Sequence, residues 1–582
     1  TPDINLKKIT IGKEEQQWAD DGLKHTFFVH KGYQPSYNYG EDINWQYWPV
    51  KDNELRWQLH RHKWFTPMGK AYRVSGDEKY AKEWAYQYMD WIKKNPLTAV
   101  EKEEYELVSA GEVKGNAENV RFAWRPLEVS NRLQDQTLQF LLFVSSKAFT
   151  PEFLTEFLIN YHRHALHILG NYSDQGNHLL FEAQRMVYAG AFFPEFKEAG
   201  EWRKSGISIL NREIKKQVYP DGGQYELDPH YHLAAINIFC KALRMADVNG
   251  FRQEFPTGYV NTVKSMIEFY ANICFPDYSN PCFSDAKLGD RPAEIRNYQD
   301  WLKLFPDCEW IRYYATEGRE GAPLPNLSHG AQTSGFFTFR NGWKQDATVM
   351  VVKAGPKGEW HCQPDNGTFE FWFNGRNLFP DSGSYVYAGD DEVMKLRNWF
   401  RRTSSHNTLT LDGKNLQTTQ SVTKLWKPEG NEQILVTENP HYDGLKHRRS
   451  VFFVDQSYFV IVDEAVGNAQ GVVNLNYHLC EGTVNIDRKN NMLTTVYDGP
   501  SNVKLQCFAE KKISMKEKEG WRSTAYRLRV PRTTVSFDID KKDSDAVRYI
   551  TILYPSKNTA SFPIFKAKFL NKAFDENGVK IE

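Results

Sequence analysis

A change of hydrophobic period near residue 315 constrains this 582-residue chain more than any other feature. Before it, apolar residues recur at helical spacing. Glu54 to Gly76, Glu78 to Asn95, Arg125 to Ser145, Pro151 to Gly170 and Asn177 to Phe193 each read as amphipathic helices. So do Glu201 to Tyr219, His232 to Val248, Tyr259 to Phe275 and Pro292 to Phe305, with Gly, Pro or Asn at most joints. From about Gln332 the pattern is one of short β-rich runs, such as Ala347 to Lys353, Thr368 to Phe373, Val472 to Leu479 and Ala546 to Leu553. Turn pairs such as Asn374-Gly375 and Asp412-Gly413 separate them.

The chain therefore reads as an α+β multidomain protein. Residues 1–322 form a large all-α domain whose similar-length helical hairpins suggest an (α/α) toroid. Residues 323–334, polar and Pro-bearing, read as a linker, and residues 335–582 as an antiparallel β-sandwich contributing to a cleft. A cleft between two domains is the default place for a ligand.

Charge excludes little but directs the search. Lys plus Arg and Asp plus Glu stand at 73 each, so net charge points neither to nucleic acid nor to a membrane surface. An anionic ligand must be met by a local patch. No apolar run reaches the roughly 20 residues of a membrane span. The 7 Cys show no metal or disulfide spacing and read as small buried hydrophobes. No signal-like segment opens the chain, which fits a mature protein whose leader has been removed as well as a cytosolic one.

Four constellations carry chemistry. Gly176-Asn177-His178 opens a helix; Asn177 is either its N-cap or an amide donor at an anion-binding helix start. Asp221-Gly222-Gly223-Gln224-Tyr225-Glu226, followed by Asp228-Pro229-His230-Tyr231-His232, is a tight loop leading into a helix. Tyr231 is either an interfacial aromatic or a proton-transfer phenol. As a base it needs positive charge nearby, from His178, His230, His232, Arg125 or a metal. His361, Asp381 and His406 sit at strand ends in the β half. They are either satisfied polar residues at sheet edges or a zinc-type set with an open position, two imidazoles favouring zinc over calcium. Basic residues, including Arg121, Arg125, Arg132, Arg397 and Arg402, offer bidentate donors to carboxylate or sulfate groups.

Together these motifs resemble the heparinase III family, the heparan sulfate lyases of polysaccharide lyase family 12, and the wider heparinase II/III superfamily. The residues that carry the likeness are Asn177 to Glu182, Asp221 to Glu226 with His230 to His232, and the stretch from Asp381-Ser382-Gly383-Ser384-Tyr385 to Ser404-Ser405-His406-Asn407-Thr408. The resemblance implies a toroid followed by a β-sandwich and cleavage by β-elimination at a uronic acid. It implies that Asn177 neutralises the uronate carboxylate and that Tyr231 handles protons. His178 assists, and His361 is a catalytic imidazole or, with Asp381 and His406, a ligand of a divalent metal in a catalytic or structural role. Arg125, Gln224, Glu226 and Arg402 are the expected substrate-binding residues. The expected partner is an acidic polysaccharide, with no nucleic acid. The expected protein is a bacterial periplasmic or secreted monomer. Other uronate polymers, a glycoside hydrolase using Glu226 and Asp228, and a non-catalytic glycan-binding protein are the alternatives.

Overall fold

A computed structural model describes residues 1–50, 52–97, 119–387, 389–567 and 569. The helical period is realised within one or two residues for most of the expected helices: Glu78–Lys94, Pro126–Phe143, Pro151–Gly170, Gly176–Phe192, Ala199–Gln217, Thr257–Ile273 and Arg291–Leu304. Asp77 and Thr150 cap the Glu78–Lys94 and Pro151–Gly170 helices by accepting from Lys79 and Phe153 amides. The expected helix from Glu54 to Gly76 is broken in two, Asn53–Leu59 and Phe65–Ser75. At the break His62 adopts a left-handed φ of 53°, which ends an α-helix locally.

The chain divides into two compact units. The first is Thr1–Lys215 with Ile238–Val260, and the second is Lys216–Asn237 with Asn261–Glu582. The division therefore runs through three helices and does not follow the change from helix to strand, whose last helix before the sheets ends at Ala315. In the first unit, the helix Pro126–Phe143 packs against Phe65–Ser75, Pro151–Gly170 and Gly176–Phe192. Their shared core is strongly aromatic: Trp84 lies flat on Phe143 at 4.2 Å between ring centroids, and Phe157 and Tyr161 are fully buried.

Apart from a two-stranded antiparallel pair in the first unit, Thr26–Phe27 with Tyr37–Asn38, the sheets lie in the second unit. One has five strands in sequence order: His329–Ala331, Phe336–Arg340, Thr348–Lys353, Phe369–Phe373 and Arg376–Asn377. Another has eight, with Leu445–Val454 and Tyr458–Val466 near its centre, and a third has four, including Leu409–Leu411 and Gly471–His478. Alternate residues of these strands, such as Phe369, Phe371, Phe453, Ile461, Leu475 and Phe537, share one buried core. Six of the seven Cys are buried and none is in a disulfide, as small hydrophobes would be. Among the described residues no helix is long and apolar enough to cross a membrane.

A buried ion pair ties the sheets to the loops that carry candidate site residues. The Arg449 guanidinium donates to Asp463 at 2.7 and 3.2 Å, and its Nη1 donates to the carbonyls of Gly367 and Asn407. Removing the anion leaves a buried cation uncompensated. Asp463→Ala is therefore expected to lower unfolding stability by about 3–5 kcal/mol, read by denaturant unfolding; a loss within measurement error would contradict this account of the core.

Candidate functional site

The expected site residues fall into two groups, one in each unit. In the first unit, Gly176 takes φ +74°, a left-handed conformation that favours glycine. It starts the helix one residue earlier than the sequence suggested. Gln175 occupies the cap position without a side-chain cap bond, so Asn177 is not the cap but lies in the first turn, exposed. Its side-chain amide is thus exposed at a helix start, where backbone N–H groups and the helix dipole favour an anion.

His178 follows it. It is exposed to solvent on its surface, and partial desolvation by its neighbours, then the charge of Arg125, lowers its pKa. Beneath lies Glu128, fully buried, which accepts from Arg61 at 2.8 and 3.2 Å and from Arg125 at 2.7 Å, with a second, very short bond from the Arg125 Nε. The Arg125 guanidinium also lies 3.7 Å above the Trp57 ring. Arg125 is thus locked by a carboxylate and an indole, and it acts as a fixed cation rather than a flexible arm.

The second group gathers around Tyr231. The loop of residues 224–227 is held to the β region by bonds within this unit. The Glu359 amide donates to the Tyr225 carbonyl at 3.1 Å, and Ser284 Oγ donates to the Leu227 carbonyl at 3.1 Å. Gly358 permits this approach, since a Cβ there would stand 3.0 Å from the Glu226 carbonyl oxygen. The following helix is Pro229–Val248, three residues longer at its start than the sequence suggested. Asp228 caps it, accepting from the amides of His230 and Tyr231 at 2.8 and 3.0 Å. Burial raises Asp228 to a pKa of about 7, and its second oxygen has no hydrogen-bond partner.

Tyr231 therefore projects from a capped first turn. Its ring stacks on the His361 imidazole, with centroids 3.7 Å apart and planes 9° from parallel. His361 Nδ1 meets Asp285 at 3.0 Å, and Nε2 lies 3.7 Å from Glu226. Asp285 is itself held by Arg397 at 2.6 Å and by Gln363 at 2.9 Å. Burial alone would raise Asp285, but bonds from His361, Arg397 and Gln363 outweigh it and hold the carboxyl at about 2. Burial likewise opposes charging of His361, and the carboxylates of Asp285 and Glu226 outweigh it, raising the imidazole. Tyr231 is raised too, by burial first and then by three nearby carboxylates, against the hydrogen bond that Tyr387 donates to it, which lowers it.

This reverses one expectation. The sequence offered His230, His232 and Arg125 as charges that would lower the Tyr231 pKa. His232 instead faces the core, bonded to the Met266 carbonyl at 2.8 Å and to the Gln224 amide, and burial lowers it to about 4. His230 is lowered by burial as well. The surroundings of Tyr231 are carboxylate-rich, and the phenol stays protonated at neutral pH. Gln224 and Glu226 are both buried and bonded to each other, so they line the site from below. Arg402 lies over Trp399 and bonds Ser405.

The trio His361, Asp381 and His406 is not gathered as one set. His406 Nδ1 meets Asp381 at 2.7 Å, both wholly buried, while His361 is taken by Asp285 and Glu226. His406 Nε2 has no partner, so this pair forms a two-donor fragment. Among the described residues no group of three or more His, Cys, Asp or Glu side chains is disposed to hold a metal ion. Sequence reasoning missed Asp285, Gln363, Tyr387 and the exposed Trp360, which meets Tyr225 edge-on at 5.7 Å. Asp285 sits in no recognisable motif. Trp360, with a φ of 28° directly before His361, carried only the weak signal of an aromatic in a Gly-bearing loop.

A family described as heparinase II/III N-terminus matches residues 1–313, and one described as heparinase II/III-like, C-terminal, matches residues 323–561. A heparin-sulfate lyase of Bacteroides stercoris is 68% identical over 582 residues, covering 100% of this chain and 87% of the relative. A heparin-sulfate lyase of Pedobacter heparinus is 45% identical over 546 residues, covering 94% and 80%. The solved structure of a heparinase III, the BT4657 gene product, superposes with a TM-score of 0.93 at 71% identity, covering 99% of this chain and 89% of that one.

Asp285 raises the His361 pKa through its bond and its charge. Asp285→Asn is therefore expected to lower it, so that His361 loses its proton at a lower pH. An NMR titration of the imidazole checks this, and an unchanged or higher pKa would contradict the pairing.

Proposed function

The chain is a member of the heparinase II/III family, and on that premise we propose that it cleaves heparan sulfate by β-elimination, leaving unsaturated uronate ends. One observation carries the reading: a neutral phenol, Tyr231, lies flat against an imidazole, His361, whose Nδ1 is fixed by a buried, ionised carboxylate. Such a pair can take and give protons, and no nucleophile is needed.

In the proposed reaction Asn177 donates to the uronate carboxylate. That lowers the cost of the negative charge that develops as the C5 proton leaves, and preorganised donors of this kind contribute several kcal/mol. Above its raised pKa His361 is neutral, and with Nδ1 oriented by Asp285 it accepts the C5 proton on Nε2. The C5–H electrons form the C4–C5 double bond, and the C4–O4 bond breaks. Tyr231 gives its phenolic proton to the departing O4. The raised pKa of Tyr231 suits this acid role, since the phenol arrives protonated. Because the two rings are stacked, the proton acceptor and donor lie side by side. Removal of proton and leaving oxygen from one face of the sugar follows most simply, which is the relation found in glucuronate rather than iduronate.

Asp285 acts as a positioning residue: it selects the His361 tautomer and, with Arg397 and Gln363 behind it, fixes the ring. Arg125, locked on Glu128 and Trp57, supplies standing positive charge beside Asn177 and His178. Trp360 offers an exposed face for a sugar ring. A polymer of this kind is met outside the cytoplasm, which supports a periplasmic or secreted location, and the protein is proposed to work as a monomer.

The test is the appearance of UV-absorbing unsaturated product. Tyr231→Phe removes the acid and is expected to cut kcat by at least about a hundredfold. Asn177→Ala is expected to cost a similar factor, about 10²–10³. Near-wild-type rates in either variant would overturn the roles. If His361 must be neutral to act, the acid limb of the pH profile follows its pKa, and in Asp285→Asn that limb moves to lower pH. A limb that stays in place would remove His361 as the proton acceptor.

A further inference from the structure

We propose that a second pocket, remote in composition from the Tyr231 group, binds a single acidic sugar residue: a pyranose carrying a carboxylate or a sulfate. The pocket has a volume of about 260 Å³ and lies within the second unit, walled by Tyr278, Tyr298, Tyr314, Trp343, Arg291 and Arg340. None of these residues belongs to the constellation around Tyr231 and His361. The choice of a sugar as ligand rests on the polymer proposed above; the choice of an anion rests on the pocket itself.

Arg340 is the centre of the argument. It is the last residue of the strand Phe336–Arg340 and is 1% exposed. Its Nη2 donates to the carbonyls of Asn272 and Cys274 at 3.2 and 2.7 Å, capping the end of the helix Thr257–Ile273. That helix end accounts for one edge of the guanidinium only. Its Nε has no hydrogen-bond partner, and among the described residues no carboxylate pairs with it. The Tyr314 hydroxyl, also in the wall, is buried and equally without a partner. A buried cation without a counter-charge and a buried hydroxyl without a partner each cost stability unless something else meets them. Both are satisfied by an anion that also accepts a hydrogen bond.

The rest of the wall selects for a ring. Tyr298 and Tyr314 lie 4.9 Å apart at 31°, and Trp343 meets Tyr314 edge-on at 6.2 Å. The Arg340 guanidinium stacks over Trp343 at 4.4 Å, and Arg291 stacks over Tyr278 at 5.2 Å. A stacked guanidinium can still direct the N–H groups that are not already engaged to a carboxylate or sulfate, while the aromatic faces accept the C–H face of a pyranose. Arg291, Arg340 and Lys344 line the pocket against one carboxylate, Glu317, which Arg291 already engages at 2.9 Å. The balance favours an anion. The volume sits just below the roughly 300–1,000 Å³ usual for small-molecule sites, which limits the occupant to about one ring.

The probes are monosaccharides, which have no bond to cleave: glucuronate, glucosamine 6-sulfate and, as the neutral control, glucose, with a short heparan sulfate oligosaccharide as the polymer arm. Binding is followed by ligand-observed NMR on the full chain. Either acidic sugar binds the wild type and glucose does not. Lys344→Glu, at an exposed position, and Arg340→Met each weaken that binding by about tenfold, the loss of roughly 1.4 kcal/mol. Tyr231→Phe leaves it unchanged. Arg340→Met is first checked for folding by circular dichroism; if it does not fold, Lys344→Glu and Trp343→Ala carry the test. Oligosaccharide binding that Lys344→Glu weakens assigns the pocket to the polymer end, and monosaccharide binding alone assigns it to released sugars. Absence of acidic-sugar binding, equal binding of glucose, or binding lost in Tyr231→Phe and kept in Lys344→Glu overturns the proposal. Polymer cleavage is measured on the same samples. Cleavage without pocket binding overturns this inference alone, and pocket binding without cleavage overturns only the lyase reading.

Discussion

The Asp285 carboxylate is the contact on which the chemistry of the second unit depends. It is buried, yet its pKa is held at about 2 because His361, Arg397 and Gln363 all bond to it. A buried anion held this way is costly to disturb and so makes a rigid anchor. From that anchor the order of contacts runs outward: His361 is oriented by Asp285, Tyr231 stacks on His361, and Tyr387 bonds Tyr231. The helix that carries Tyr231 is fixed independently by the Asp228 cap. Two unrelated devices, a side-chain relay and a helix cap, thus bring one phenol to one imidazole.

The first unit uses the same device with opposite emphasis. There the buried Glu128 gathers two cations, Arg61 and Arg125, instead of one cation and an imidazole. The stacking of Arg125 on Trp57 adds a second constraint. The result is positive charge without flexibility next to a helix start, where Asn177 is left free by the glycine that precedes it. In both units a buried carboxylate organises the cations or imidazole around it, and Arg61 in the first unit and His361 and Arg397 in the second come from distant parts of the sequence. This is why preorganisation at each group costs no adjustment when a ligand arrives.

How far the sequence foretold this can be argued residue by residue. Glu78–Lys94 was legible because it buries one face, and Thr348–Lys353 because it is a short β-rich run buried on both faces. The helix Asp391–Arg401 was not read from the sequence because it lies inside a strand-rich region, although Val393, Leu396 and Phe400 recur at helical spacing. Asn177 looked like a cap because Asn favours caps; the left-handed Gly176 shifted the start and released it. Tyr231 and His361 were both picked out, but their contact spans 130 positions that no local pattern links. The charge of their surroundings was read with the wrong sign, since the nearby histidines were visible in sequence and the carboxylate Asp285 was not. The expected partnership of His361 with Asp381 and His406 failed for the same reason: Asp285 takes the imidazole first.

The central claim is that this site breaks the C4–O4 bond by elimination rather than adding water across a glycosidic bond. Mass spectrometry of a defined heparan sulfate oligosaccharide before and after one cleavage tests it most directly. Elimination adds nothing, so the two product masses sum to the mass of the substrate, and one product carries a vinylic C4 hydrogen by proton NMR. Product masses that sum to the substrate plus one water, with no vinylic signal, would contradict the account.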